Sequence, residues 1–386
     1  MKIVALKESR PGETRVALVP ESCKKLIQAG YTVAVEKGAG EASYYPDAAY
    51  LALGCAVESD LPALIASADV LVKVNSPFTG ASRDEVGPLK PGAVVLGSLL
   101  PLRHLEAVQA LAKAKVSAFS SDLIPRITRA QAMDTLSSQA GITGYKGALI
   151  AASEFPKFFP MFMTAAGTVM AAKVFVVGAA VAGLQAIATA KRLGAQITAT
   201  DVRPEVKEQI ESVGGKYVGV ELKESASAGG GYAKELSEGD KLLQREMLAA
   251  HCATVDVVIT TALVGGVFAP KLITADMVKG MRPGSLIVDL GADAGGNCEL
   301  SRPGETVEAH GVKIIAPTNL PARMPTHASL LFSRNMAAFI LAFTKAGVFQ
   351  LDPGDEIQKG SLVAHQGEVV HPRVKDALKA AGPAAS

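Results

Sequence analysis

The sequence predicts an α/β protein of two doubly wound parallel-sheet domains joined by long helices. Three observations point there. A chain of 386 residues suggests two domains at about 100–200 residues each. Apolar residues make up 49% and charged residues 20%, enough to bury a large core without disulfides. Short β-branched apolar runs alternate with helical stretches through short connections, and the alternation occurs twice with no sequence repeat.

In the first series Lys2–Leu6 reads as a strand, Pro20–Ala29 as a helix with proline at its start and Gly30 past its end, and Tyr31–Glu36 as the next strand. Helices are expected near Pro46–Leu53, Pro62–Ala66 and His104–Lys113. Strands are expected at Val57, Val70–Val74, Val94–Leu96 and Ser117–Phe119. Arg129–Glu154 is helical in pattern and rich in small residues, and joins one series to the next.

The second series has strands at Val174–Val177, Gln196–Thr200, Val255–Thr260, Ser285–Asp289 and Val312–Ile315. Its helices include Gly183–Leu193, Pro204–Ser212 and Thr274–Lys279. Val174–Ala190 carries no charge, but β-formers followed by glycine and an Ala-rich run parse as strand, turn and helix rather than a membrane span. Ser225–Asp240 has three consecutive glycines and no apolar periodicity, as a linker or a mobile loop would. A helix from Leu330 to Phe343 returns toward the first series. The predicted domains are residues 1–128 completed by 330–386, and residues 129–329.

Composition excludes several classes. Thirty-nine Lys and Arg against 37 Asp and Glu leave a formal charge of +2, unlike a nucleic-acid binder. The four cysteines are widely spaced, as buried reduced thiols of a cytoplasmic protein would be, and the six histidines lack metal-ligand spacing, so no metal is expected.

The strongest motif is VFVVGAAVAGLQAIATAKRLGAQITATDVR. A buried strand enters Gly178, Gly183 opens an Ala-rich helix, and Asp201 ends the following strand twenty-three residues after Gly178. This is the βαβ dinucleotide fingerprint of Rossmann-like domains. The helix start favours a pyrophosphate, and the carboxylate accepts from a ribose diol. Asp201 selects NAD over NADP because a 2′-phosphate would meet its charge. Ala180 replaces the middle glycine, from which weakened or displaced nucleotide binding is expected. Arg203 either contacts the nucleotide or is a surface arginine. In LIPRITRAQAMDTLSSQA, Arg126, Arg129, Gln131, Asp134 and Ser137 crowd together without a nucleophile–base pair. Arg15 and Lys73 either anchor a carboxylate or stabilise the fold.

RPGETRVALVP, LIPRITRAQAMDTLSSQA, FFPMFMTAAGT, VAGLQAIATAKRLGA, TDVRPEVKEQIESVGGK, GGYAKEL and AGGNC occur in order. Together they resemble the NAD(H)-binding component of proton-translocating transhydrogenases, in the alanine dehydrogenase/pyridine nucleotide transhydrogenase family. The resemblance implies a nucleotide cleft between the two domains. It implies that Arg126, Gln131, Asp134 and Ser137 hold the reacting nicotinamide end, with Ile127, Thr128, Ala132 and Met133 in the same loop. It places Gly178, Ala179, Ala180, Val181 and Gly183 at the pyrophosphate, and Asp201, Val202 and Arg203 at the adenosine ribose. It makes Gly231 and Tyr232 part of a closing loop, and Gln244 and Leu263 further contacts. Departures are Ala180, LVGG after Thr261 where the family usually has proline, and Asp293 where most transhydrogenases carry glutamate.

The implied reaction is hydride transfer from NADH to NADP⁺ bound on a partner subunit, coupled to proton translocation. The implied assembly is a homodimer, cytoplasmic and peripheral to the inner membrane through a membrane-spanning subunit and an NADP(H)-binding subunit. Two alternatives are an NAD-dependent alanine dehydrogenase and a non-catalytic NAD-binding module. Arg15, Lys73 and Asp293 fit the first, but Leu100 stands where that enzyme supplies a histidine, and the nearest histidine is His104.

Overall fold

A computed structural model of the chain describes residues 1–80, 82–220, 236–263 and 269–381. The chain divides into two compact units, Met1–Gln139 with Pro321–Ser386, and Ala140–Leu320.

The first unit holds an eight-stranded sheet. Its order is Glu368–Val369, Leu362–His365, Ser117–Ser120, Val94–Ser98, Val70–Asn75, Lys2–Ala5, Thr32–Glu36, Ala56–Glu58. The six N-terminal strands pair in parallel, and the two C-terminal ones run antiparallel along the Ser117–Ser120 edge. Strands such as VLVKVN are buried on both faces, which is why they read as continuous apolar runs. One face is covered by Pro20–Gln28 and Pro325–Ala342, with Phe332 and Phe339 in the core and the Phe119 ring 5.4 Å from that of Phe339.

The second unit holds seven strands in the order Lys216–Tyr217, Gln196–Thr200, Lys173–Val177, Val257–Thr260, Leu286–Asp289, Val312–Ile315, Thr306–Ala309. All pair in parallel except the last. The uncharged run Val174–Ala190 is indeed a strand end, a turn and the helix Val181–Arg192.

The segment between the series is not one helix. Thr128–Met133 is a 3-10 turn, and the α-helix runs Thr135–Glu154. Asn335 Nδ2 donates to the Ala132 carbonyl and Arg129 pairs with Asp355, so this turn packs with the first unit. The unit boundaries therefore fall at Gln139/Ala140 and Leu320/Pro321, not at 129 and 330. The small residues of the long helix have a packing reason. A Cβ on Gly144 would lie 2.0 Å from the Ala182 carbonyl oxygen, so this helix lies directly against the start of Val181–Arg192.

Candidate functional site

In the second unit the strand Lys173–Val177 ends at Gly178, whose φ of 90° is a conformation that glycine adopts without strain. Gly183 is required by contact: a Cβ there would stand 2.0 Å from the Gly178 carbonyl oxygen. That carbonyl also accepts from Thr261 Oγ1 at 2.7 Å, tying the turn to the end of the neighbouring strand. Ala180 is the N-cap of Val181–Arg192 and no side chain caps this helix. Its first-turn amides are therefore available to an anion.

Ala180 has φ −75° and ψ −166°. That is extended backbone open to any residue, so the expected conformational penalty for alanine is absent and its methyl is the sole departure from glycine. The sequence could not supply this, since a glycine motif does not reveal which of its glycines need a positive φ.

Asp201 lies just past the strand Gln196–Thr200. One carboxylate oxygen accepts from the Ala179 amide at 2.8 Å and from Arg203 Nη2 at 2.8 Å; the other accepts from the Arg203 amide at 3.0 Å and Nε at 2.8 Å. Tyr217 OH donates to the Asp201 carbonyl at 3.2 Å. Hydrogen bonding to Asp201 raises the Arg203 pKa above its ordinary value. Arg203 is buried and forked onto Asp201, not a solvated surface arginine. The uncapped helix start, the tight turn and the carboxylate at the end of the neighbouring strand fit a dinucleotide.

The sequence reading missed a brace behind this turn. Buried Asp289 accepts from Thr260 Oγ1 at 2.9 Å, Ser301 Oγ at 2.6 Å and the amides of Gly291, Asn297 and Cys298. Asn297 then accepts from the Ala262 amide at 3.0 Å and donates to the Ala262 and Pro270 carbonyls, each at 2.9 Å. It thereby anchors the segment leading to Leu263, which is part-exposed. The available signal was an aspartate closing the apolar strand LIVD, followed by AGGNC.

In the first unit Asp134 organises the LIPRITRAQAMDTLSSQA loop. It accepts from the Ser137 amide at 2.9 Å and Ser137 Oγ at 2.6 Å, capping the start of Thr135–Glu154, and Arg126 Nε stands 3.9 Å away. Gln131, Thr128 and Ala132 are exposed on the 3-10 turn and Ile127 is half-buried. Met133 departs from expectation: its side chain is buried in the core with Ala130, Phe332 and Met336, since one side of a tight 3-10 turn must face inward. Gln244 sits half-buried on the helix Glu238–Cys252, and Val181 and Val202 flank the turn and Asp201. Gly231 and Tyr232 lie outside the described residues.

The residues that would hold an amino-acid carboxylate are internally paired. Arg15 forks onto Glu13 at 2.7 and 2.9 Å and donates to Gln139 Oε1 at 3.0 Å. Burial raises the Glu13 pKa, but the bonds from Arg15 and Asn75 outweigh it and leave it at about 2. Lys73 is buried between Glu8 at 3.3 Å and Glu85 at 3.0 Å. These geometries favour the fold-stabilising alternative for both cations. Leu100 donates its amide to Asp122 Oδ1 at 3.2 Å and has no side-chain proton acceptor to offer. Asp293 accepts the Asn319 amide at 3.1 and 3.2 Å.

Residues 4–143 match the alanine dehydrogenase/PNT N-terminal domain, and residues 147–372 the alanine dehydrogenase/PNT C-terminal domain. The chain is 48% identical over 379 residues to an NAD(P) transhydrogenase subunit alpha of Rhodospirillum rubrum, spanning 96% of this chain and 98% of that protein. The structure of a transhydrogenase from Sinorhizobium meliloti matches with a TM-score of 0.83 and 42% identity, over 97% of this chain and 100% of that one. An L-alanine dehydrogenase structure matches with a TM-score of 0.79 and 25% identity, over 98% and 99% of the two chains.

Proposed function

This chain belongs to the alanine dehydrogenase/PNT family, and from that premise we propose that it is the peripheral NAD(H)-binding subunit of a proton-translocating transhydrogenase. The observation that carries this reading is the near full-length likeness to the Rhodospirillum rubrum NAD(P) transhydrogenase subunit alpha. Bound NADH supplies the hydride, and the acceptor is NADP⁺ on a partner subunit. In this reading the amides of Ala179 to Gly183 face the pyrophosphate, and Asp201 accepts from the adenosine ribose while Val202 and Arg203 border it. Arg126, Gln131, Asp134 and Ser137 orient the nicotinamide end, with Ser137 and Arg126 fixed on Asp134. Gly231, Tyr232, Gln244 and Leu263 complete the contacts. Positioning is the main requirement, because hydride transfer between two nicotinamides removes no substrate proton.

No helix among the described residues is long and apolar enough to cross a membrane. The proposal assigns proton passage to a membrane-spanning partner, which holds this chain at the cytoplasmic side of the inner membrane. It also assigns a homodimer. An apolar hairpin, Phe162–Thr164 with Gly167–Val169, supports that assignment: Met161, Phe162, Met163 and Met170 are all exposed on or beside it.

Alanine dehydrogenase is the second reading, favoured by the likeness to that structure and by Arg15, Lys73 and Asp293. It is disfavoured by Leu100 and by the carboxylates already held by both cations. Mixing the chain with an NADP(H)-binding transhydrogenase subunit tests the proposal. Hydride transfer from NADH to NADP⁺ is expected, with no NADH formed from L-alanine and NAD⁺ at alkaline pH. Steady alanine oxidation without transhydrogenation would reverse the choice.

A further inference from the structure

The RPGETRVALVP motif begins with Arg10, for which the proposed function has no use. Arg10 lines a cavity of about 440 Å³ in the first unit. The other walls come from Pro77–Gly80, which follows the strand Val70–Asn75, and Leu102–Ala107, which follows the adjacent strand Val94–Ser98. The cavity thus lies beyond the carboxyl ends of two neighbouring parallel strands, where open α/β sheets bind ligands.

The chemistry of the lining is that of an anion site. Arg10 Nη2 donates to the Ser76 carbonyl at 3.1 Å, and the guanidinium lies 5.2 Å from the Phe78 ring centroid. Arg10 Nε is buried with no acceptor, and no carboxylate pairs with Arg10 among the described residues. A buried donor without an acceptor costs about 1–3 kcal/mol, which a bound oxyanion would recover. Across the cavity, His104 occupies the N-cap of the nine-residue helix Leu105–Lys113, and its side chain makes no capping bond. The first-turn amides are therefore available, and a helix N-terminus favours negative charge. Arg103 adds a second fixed positive charge against the single carboxylate of Glu106. Burial, then the charges of Arg10 and Arg103, lower the His104 pKa, in keeping with a positive potential there.

We propose that this cavity is an anion site for a small phosphate ester, held between the Arg10 guanidinium and the first turn of Leu105–Lys113. Two donor sets on different walls suit a tetrahedral oxyanion, whereas a planar carboxylate is saturated by one guanidinium fork. The remaining volume takes the organic part of the ligand. The inference is independent of the transhydrogenase reading.

Calorimetric titration of the full chain tests it, with glycerol 3-phosphate, inorganic phosphate and acetate at matched ionic strength. The protein is first saturated with NADH, so that the turn after Gly178 cannot contribute. Glycerol 3-phosphate is expected to bind one site at least as tightly as inorganic phosphate, and acetate about tenfold more weakly or worse. Arg10→Gln is expected to weaken phosphate binding by about tenfold or more. His104→Asp is expected to do the same without harming the fold, because aspartate caps the helix with its own carboxylate and repels an anion. If Arg10→Gln does not fold, His104→Asp decides alone. Absence of binding to the NADH-saturated protein, equal affinity for acetate, exclusion of glycerol 3-phosphate, or unchanged binding in the folded variants would overturn the proposal.

Discussion

Replacing Asp201 by asparagine removes one charge without changing shape, and the structure sets the size of the effect. Four donors converge on the carboxylate: the Ala179 amide and Arg203 Nη2 on one oxygen, the Arg203 amide and Nε on the other. The Asp201 and Arg203 side chains are only 7% and 10% exposed, so solvent screens the pair little. Whichever way the asparagine amide is turned, its NH₂ confronts two donors. Two buried donors then lose their acceptor, and an arginine loses its counter-charge, for a stability cost of about 3 kcal/mol. In the nucleotide site the same change removes the charged acceptor for the ribose diol. It also leaves Arg203 able to receive a 2′-phosphate. NADH affinity is expected to fall about tenfold, NADPH affinity to rise, and their ratio to shift by more than about tenfold. Urea unfolding followed by circular dichroism reads the first effect, since the chain has no tryptophan, and calorimetric titration with both nucleotides reads the second. A loss of stability with an unchanged NADH-to-NADPH ratio would make Asp201 a brace for the turn and refute its assignment to the ribose.

Gly183→Ala places a methyl 2.0 Å from the Gly178 carbonyl oxygen, so the helix must move off the strand; thermal unfolding should show a loss of about 1–3 kcal/mol together with weakened NADH binding. Gln131→Asn withdraws an exposed amide by one methylene; turnover with the partner subunit should fall about tenfold, while NADH affinity changes by less than about threefold. Collapse of affinity with intact single-turnover transfer would make Gln131 a binding residue instead. Glu13, held at about 2 by Arg15 and Asn75 against the effect of burial, has a folded pKa below its unfolded value. It therefore stabilises the fold above about pH 4.5, by roughly 3 kcal/mol, and that contribution disappears as pH falls toward 2. Urea midpoints measured across this window should decline in the parent and decline less in Glu13→Gln.

Short-range pattern is what the amino-acid order encodes without help from the rest of the fold. Gln196–Thr200 and Val312–Ile315 form strands at the positions their apolar runs indicate. The spacing of Gly178, Gly183 and Asp201 marks a turn, a helix start and a carboxylate that do meet in space. All of this lies within one βαβ unit, whose geometry follows from its own residues. The helix Glu238–Cys252 is not legible in that way, because only Asp240, Leu248 and Cys252 are buried, too few to mark a face. The hairpin at Phe162–Val169 is hidden for the opposite reason, since its apolar residues are exposed and imitate core. Tertiary structure alone decided that Ala180 is unstrained, that Met133 belongs to the core, and that Lys73 is held between Glu8 and Glu85. It alone joined Asp289 and Asn297 to the loop at Ala262. A hydrogen bond acts over about 3 Å, and parallel sheets bring the ends of strands far apart in sequence to one edge. Which partner each polar side chain finds there is set by closure of the sheet, not by any local run of residues.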